Sequence, residues 1–293
     1  MPKEADNSEA ARPIAAAQPV IRIAELVKRY QDRNVLEHVN LDVYPAETMV
    51  IMGGSGCGKS TLLRILIGAI APDGGRVELF GDNIADLDEH QMDAVRKRFG
   101  ILFQSGALFN SMTVGDNVAL PLREHTNLDE DTIAIMVRIK LEQVGLRHAM
   151  DLMPAEISGG MKKRAALARA IALDPEILFY DEPSAGLDPV TSAEIDQLIL
   201  NLSRKLGVTS VVVTHEMDSA FRIADRMAML DKGVMLKVAS RQEFADIRDS
   251  APSGDLNHDL IRQFLRGEDQ GPITARRLGS DYEEDIMEAA ENF

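Results

Sequence analysis

Residues 53–61 read GGSGCGKST, and the spacing of Gly53, Gly58, Lys59 and Ser60 is that of a glycine-rich loop whose backbone N–H groups turn inward around a polyphosphate. Gly54, Ser55, Gly56, Cys57 and Thr61 complete the loop with small side chains. Upstream lies a short apolar run, Met49–Met52; downstream, STLLRILIGAI (60–70) spaces its apolar residues as a helix does, with APDGG (71–75) as a Pro/Gly stop. Strand, loop and helix are the setting this motif requires. Lys59 is therefore expected to reach the β- and γ-phosphates of a nucleotide, and the Ser60 hydroxyl to ligate Mg²⁺.

Composition narrows the rest. At 293 residues and 45% hydrophobic content the chain can bury a large core. No apolar run approaches the ~20 residues that span a bilayer, and MPKEADNSEAARPIAAAQPV lacks the order of a secretory signal. A cytosolic protein is expected. The single cysteine, Cys57, excludes an internal disulfide and a Cys-based metal site, and reads as a small residue tolerated in the loop rather than a redox sensor. A formal charge of −15 argues against broad contact with nucleic acid or anionic lipid. Part of that charge sits in DYEEDIMEAAENF from Asp281, read as a solvated tail or a short docking helix.

Residues 1–19 show no sustained periodicity and read as a flexible leader. From Val20, VIRIAELVKRY, HVNLDVYP and ETMVIMGG suggest antiparallel strands leading into a buried one. ILFYDEP (177–183) and SVVVTHE (210–216) are continuous apolar runs, as expected of central parallel strands covered on both faces. Between Asn117 and Asp174 the pattern is mainly helical, with an amphipathic stripe in EDTIAIMVRIKLEQVGL. An α/β domain with a helical insertion follows. Late in the chain, Leu256, Leu260, Ile261, Phe264 and Leu265 form one apolar helix face that needs a surface to pack against.

Four polar positions leave apolar runs near where the loop should lie. Asp181 and Glu182 would place two carboxylates at a strand mouth, the first suited to holding Mg²⁺ and the second to polarising an attacking water. His215, after SVVVT, should emerge at the same sheet edge, where open α/β sheets bind ligands, and could contact a γ-phosphate. Gln104, closing GILFQ, could sense metal and water together. Ser158, Gly159 and Gly160 then precede a helix whose apolar face includes Ala165, Leu167, Ala168 and Ile171. That is either a second anion-binding helix N-terminus or a plain helix cap, and spacing does not choose between them.

The order GGSGCGKS, FQ, ISGGM, ILFYDEP, SAGLD, VVTHE over residues 20–240 resembles the ATP-binding subunits of ABC transporters. The resemblance implies a P-loop NTPase fold of the ABC ATPase kind, with a RecA-like core, an antiparallel β subdomain, a helical subdomain at about 105–173 and a C-terminal extension over 241–293 with a helix at 255–266. It implies that two copies sandwich two ATP molecules head to tail, Ser158 and Gly160 of one facing the γ-phosphate held by Lys59 of the other. By position, Tyr30 is the aromatic that stacks on adenine, Gln104 the lid linking metal to the helical subdomain, Asp188 the contact across the dimer, Glu182 the base and His215 the γ-phosphate switch. One departure stands out: the signature reads ISGGM where most of the family has LSGGQ, so Ile157 and Met161 replace Leu and Gln.

That departure, with LFQSGALFNSMTVGDNVALPLRE and IRQFLRGEDQGPI, is similar to the ATPases of MCE-type (Mla) phospholipid transport systems. The implied setting is the cytoplasmic face of the inner membrane, with an integral membrane permease, an MCE-type lipid-binding subunit and a small STAS-domain protein as partners and no nucleic acid. Leu108, Phe109 and Met112 would then lie where a permease coupling helix docks. Two other readings share the catalytic motifs: the ATPase of a small-solute importer, and a soluble ABC ATPase acting as a scaffold.

Overall fold

The computed structural model describes residues 18–31 and 33–276, so the expected leader up to residue 17 and the acidic tail from Asp281 lie outside the described residues. The chain begins with two long strands, β1 (Ile21–Tyr30) and β2 (Arg33–Val43), then enters β3 (Thr48–Met52), whose loop leads into α1 (Lys59–Leu66). β4 (Gly74–Leu79), β5 (Asp82–Asn83), α2 (Glu89–Arg96) and β6 (Phe99–Leu102) follow. Three helices come next: α3 (Val114–His125), α4 (Glu130–Gln143) and α5 (Gly159–Ala170). The second half alternates β7 (Ile177–Asp181), α6 (Pro189–Leu206), β8 (Thr209–Thr214), α7 (Met217–Ile223), β9 (Arg226–Asp231) and β10 (Val234–Ser240), and closes with α8 (Arg241–Asp249) and α9 (Leu256–Arg266).

Two sheets result. β2-β1-β4-β5 is antiparallel, and β10-β9-β3-β8-β7-β6 is parallel except for β10. The parallel sheet divides the interior by its two-residue period. Val50, Met52, Leu178, Tyr180, Val212, Met227 and Met229 face one apolar cluster, shared with the three-helix block and with α6 and α7. Met49, Ile51, Phe179, Val211, Val213 and Leu230 face the other, shared with α1 and the antiparallel sheet. Both faces of these strands are covered, which is why their sequences run apolar rather than alternating.

Several elements differ from their sequence reading. The helix after the glycine loop does not run to the Pro/Gly stop but ends at Leu66, because Gly68 adopts φ +68° and Ala69 N–H bonds back to the Arg64 carbonyl at 2.8 Å, a left-handed C-terminal cap. The late helix α9 packs on its own chain, with Ile261 and Leu265 in the cluster that also holds Phe244 of α8. Leu256 is not on that buried face, being 52% exposed in the first turn. In α4, Ile133, Val137 and Leu141 turn inward at four-residue spacing while Ile135 and Ile139 face out.

The helical block meets the sheet at Gly100 of β6. A Cβ there would lie 2.1 Å from the Ala170 carbonyl oxygen and 2.8 Å from Leu178 Cδ2, so only glycine lets the end of α5 approach the strand. Gly100→Ala is expected to destabilise the fold by about 1–3 kcal/mol through overpacking. Urea melts of the two proteins check this, and equal midpoints would show that α5 can retreat without loss.

Candidate functional site

Three parallel strands end level. Met52 of β3 pairs with Thr214 of β8, and Asp181 of β7 with Val213, so the chain leaves the sheet at Gly53, Glu182 and His215 along one edge. The loop from β3 has backbone demands that glycine alone meets at Gly53, where a Cβ would sit 2.1 Å from the Leu230 carbonyl oxygen and 2.7 Å from Cys57 Sγ. At Gly54 and Gly56, by contrast, a Cβ would meet open space, so the rim of the loop is free. Ser55 and Ser60 are exposed, and Thr61 half-buried. Cys57 is buried against the antiparallel-sheet cluster, and burial pushes its thiol pKa up, away from the reactive thiolate.

Gly58 precedes α1 at φ +112° and supplies no side-chain cap, leaving the first N–H groups of the helix to another acceptor. Lys59 begins the helix. Its ammonium is buried and donates to the Gly53 carbonyl at 2.7 Å and the Gly54 carbonyl at 3.0 Å, and among the described residues no carboxylate forms an ion pair with it. The Cys57 Sγ lies 4.0 Å from the same ammonium, and a buried cation met only by neutral acceptors, at an uncapped helix N-terminus, fits a polyphosphate.

Opposite stands an acidic pair. The Asp181 carboxyl is pushed above its ordinary pKa first by burial and then by the neighbouring Glu182 charge, with Arg64, Lys163 and Lys59 pulling the other way. A buried carboxylate of this kind gains from a divalent cation, which offsets the cost that burial places on its charged form. Among the described residues no three His, Cys, Asp or Glu side chains gather into a preformed metal cluster, and the groups expected to hold a cation remain Ser60, Asp181 and Gln104 together with ligand oxygens. Glu182 takes a left-handed backbone, φ +48°, and its carboxylate accepts from His215 twice, from the backbone N–H at 3.3 Å and from ring Nδ1 at 2.9 Å. Glu182 and His215 are thus joined directly, which spacing alone did not show. No side-chain hydrogen bond joins Gln104, exposed two residues beyond β6, to that pair. Tyr30 lies at the end of β1, 45% exposed, with Lys28 Nζ 5.5 Å from its ring centre.

The second loop is a cap and more. Ser158 Oγ accepts from Met161 N–H at 3.3 Å at the start of α5, and a Cβ on Gly160 would lie 2.5 Å from Thr191 Cγ2 in the first turn of α6. Asp188 caps α6, accepting from the N–H groups of Val190 at 3.0 Å and Thr191 at 3.1 Å and from Thr191 Oγ1 at 2.5 Å. Hydrogen bonds from Thr191 hold the Asp188 pKa below its usual value. Thr191 therefore ties Gly160 to Asp188, a role no motif announces. Between the sheet and the helical block runs a groove of about 510 Å³ lined by Phe103, Phe109, Pro121 and Arg169 among others. Of Leu108, Phe109 and Met112, Phe109 lines this groove, and Leu108 packs against the core.

A sequence model of the family described as ABC transporter matches residues 36–185. The chain is 42% identical over 272 residues to the intermembrane phospholipid transport system ATP-binding protein MlaF of Haemophilus influenzae, covering 92% of this chain and 99% of that protein. It is 45% identical over 258 residues to the protein of the same name from Escherichia coli K12, covering 87% and 92%. Among solved structures it is similar to the dimeric post-hydrolysis state of the ATP-binding cassette MJ0796 bound to ADP and Pi, with TM-score 0.70 and 30% identity over 75% of this chain and 98% of that one.

If Lys59 is the phosphate contact, Lys59→Ala should weaken nucleotide affinity by about tenfold to a hundredfold, the worth of charge-assisted hydrogen bonds. Titration with a fluorescent ATP analogue measures it, and affinity within twofold of the parent would remove Lys59 from the phosphate site.

Proposed function

The chain belongs to the ABC transporter family, and from that premise we propose that it binds and hydrolyses ATP to move phospholipid between the inner and outer membranes of a Gram-negative envelope, maintaining outer-membrane lipid asymmetry. Its fold is the α/β P-loop fold of ABC ATPases. The observation that carries the hydrolytic reading is the Glu182–His215 pair, which leaves the sheet edge level with the Lys59 loop. The phospholipid reading is supported by near full-length similarity to the two MlaF proteins.

Bound Mg–ATP supplies the transferable γ-phosphoryl group and much of the charge neutralisation its transfer needs. The chain's residues do the rest. The backbone of residues 53–61 and the Lys59 ammonium would hold the phosphates, and Ser60, Asp181 and Gln104 would hold the Mg²⁺ that neutralises their charge. Glu182 accepts a proton from the attacking water as that water is oriented for in-line displacement. His215 donates from Nδ1 to the Glu182 carboxylate, which fixes the base and leaves the far side of the ring free to reach the γ-phosphate. Tyr30 stacks on adenine, and Asp188 lies at the subunit contact. Ser158, Gly159 and Gly160 of one copy complete the site of a second copy, so the working unit is a head-to-tail homodimer.

No helix among the described residues is long and apolar enough to cross a membrane. In the proposed setting an integral permease provides the lipid path, an MCE-type subunit and a small STAS-domain protein complete the complex, and this subunit works peripherally on the cytoplasmic face of the inner membrane. The groove lined by Phe103 and Phe109 is the proposed seat of the permease.

Glu182→Gln should bind ATP and dimerise, yet lose about 10²–10⁴-fold in turnover, the range for removing a general base; near-normal turnover would sink the assignment. Gentle detergent extraction of the tagged protein from native membranes tests the transport reading. A permease with an MCE subunit and bound phospholipid is expected, whereas a solute-binding-protein system or no membrane partner would overturn it.

A further inference from the structure

Lys163 is a lysine in the second turn of α5 with only 6% of its surface exposed. An ammonium so buried needs a reason, because desolvation penalises it unless the surroundings repay the loss. Its Nζ donates at 3.1 Å to the main-chain carbonyl of Glu182, and the negative charges of Asp181, Glu182 and Glu216 all act on it.

The accepting carbonyl belongs to a residue in an unfavourable conformation. Glu182 holds φ +48°, a region costly for any residue with a Cβ and kept only where surrounding contacts over-determine it. Three contacts do so here: Glu182 N–H donates to the Val213 carbonyl at 2.9 Å, Ala185 N–H donates to the Glu182 carbonyl at 3.2 Å, and Lys163 adds the third from a separate element. Two of these hold the strand end and its turn. Only Lys163 reaches across from the helical block.

We propose that Lys163 is a positioning residue for the Glu182 base, fixing the left-handed peptide from which the carboxylate projects and linking it to the Ser158–Gly160 loop of the same chain. The inference rests on the reading of Glu182 as the base. Its mechanical content comes from α5, whose first turn carries Ser158, Gly159 and Gly160 and whose second carries Lys163. A shift of that first turn, as when the loop meets nucleotide on a second copy, moves the Lys163 donor and with it the Glu182 carbonyl. Each copy's base is thereby made sensitive to engagement of its own signature loop at the other copy's site.

The test uses the full-length chain. Lys163→Met keeps length and apolar stem but removes donor and charge, whereas Lys163→Gln restores a donor. For Lys163→Met, kcat should fall about tenfold or more with KM and ATP-analogue affinity within about twofold, the pattern of a group acting only on the chemical step. Amide hydrogen exchange over residues 184–187 should rise in the nucleotide-free protein, a readout independent of turnover. Lys163→Gln should recover most of kcat and of the protection. In a Glu182→Gln background, Lys163→Met should add little further loss, since both act through one carboxylate.

Wild-type kcat and exchange in Lys163→Met would overturn the proposal. So would parallel losses of kcat, affinity and melting temperature that Lys163→Gln does not recover, which would mark a purely structural lysine. Near-normal turnover in Glu182→Gln alone identifies failure of the base reading instead. If Lys163→Met does not fold, Lys163→Leu, which also lacks a donor, takes its place: a kcat about tenfold below wild type with affinity unchanged and exchange raised supports positioning, and wild-type values on both overturn it.

Discussion

The parallel strands β3, β7 and β8 are buried on both faces, and the rest of the site depends on that constraint. Apart from the hydroxyls of Thr48, Tyr180, Thr209, Ser210 and Thr214 these strands carry no polar side chain before their last residue, and a charge buried along them would go unpaired, so the charged groups come where the strands end. Because β3, β7 and β8 pair in nearly even register, they end together. Gly53, Asp181, Glu182 and His215 are thus delivered to one edge by backbone hydrogen bonding, before any side chain at the site makes a contact. The helices then close both faces, and the close approach of α5 at Gly100 locks the helical block to the outermost strand of the set, β6.

Much of this was readable along the chain because it is local. The glycine loop, the apolar runs that end in DE and in TH, and the helical stretch after Asn117 are contiguous patterns whose periodicity reflects their own burial. What escaped reading involves residues far apart in sequence. That a side chain on Gly160 would press on Thr191 shows only in the fold, and that Glu182 can hold a left-handed backbone follows in part from Lys163, nineteen positions away. Lys163 was hidden for a specific reason: in KKR a lysine reads as solvated surface, and only the fold shows one ammonium of the pair turned inward. Leu256 failed in the opposite sense, since an apolar residue on a helical pattern does not reveal which side the neighbouring element covers. The end of α1 was misplaced because Gly68 acts as a cap ahead of the more visible Pro72.

The late helices show how burial can override a boundary drawn from sequence motifs. Motif matching stops near Ser240, yet Phe244, Ile261 and Leu265 belong to the same apolar cluster as β9 and α7. α8 and α9 are therefore part of the folding unit, while the segment after them returns toward the nucleotide loop. Buried Gln263 anchors that return, accepting from Ile273 N–H at 2.7 Å and donating to Thr274 Oγ1 at 2.9 Å, and Arg276 then pairs with Asp231 at 3.1 Å. Asp231 ends β9, the strand beside β3, so the extension touches the sheet edge that carries the loop.

The electrostatics of the site explain why nucleotide and metal should bind together rather than singly. Lys59 turns its buried ammonium onto loop carbonyls, and Asp181 is burdened by burial and by the Glu182 charge. Both groups lie at one sheet edge, and the Lys59 charge by itself does not offset the effect of burial on Asp181. A divalent cation alone would relieve Asp181 but add charge near Lys59, whose carbonyl partners are weak compensation for a cation. Phosphates alone would satisfy Lys59 and the open N-terminus of α1 while pressing negative charge toward two carboxylates. Only the two together relieve both sides, so each should raise the affinity of the other, and that reciprocity follows from the placement of the charges on the sheet edge.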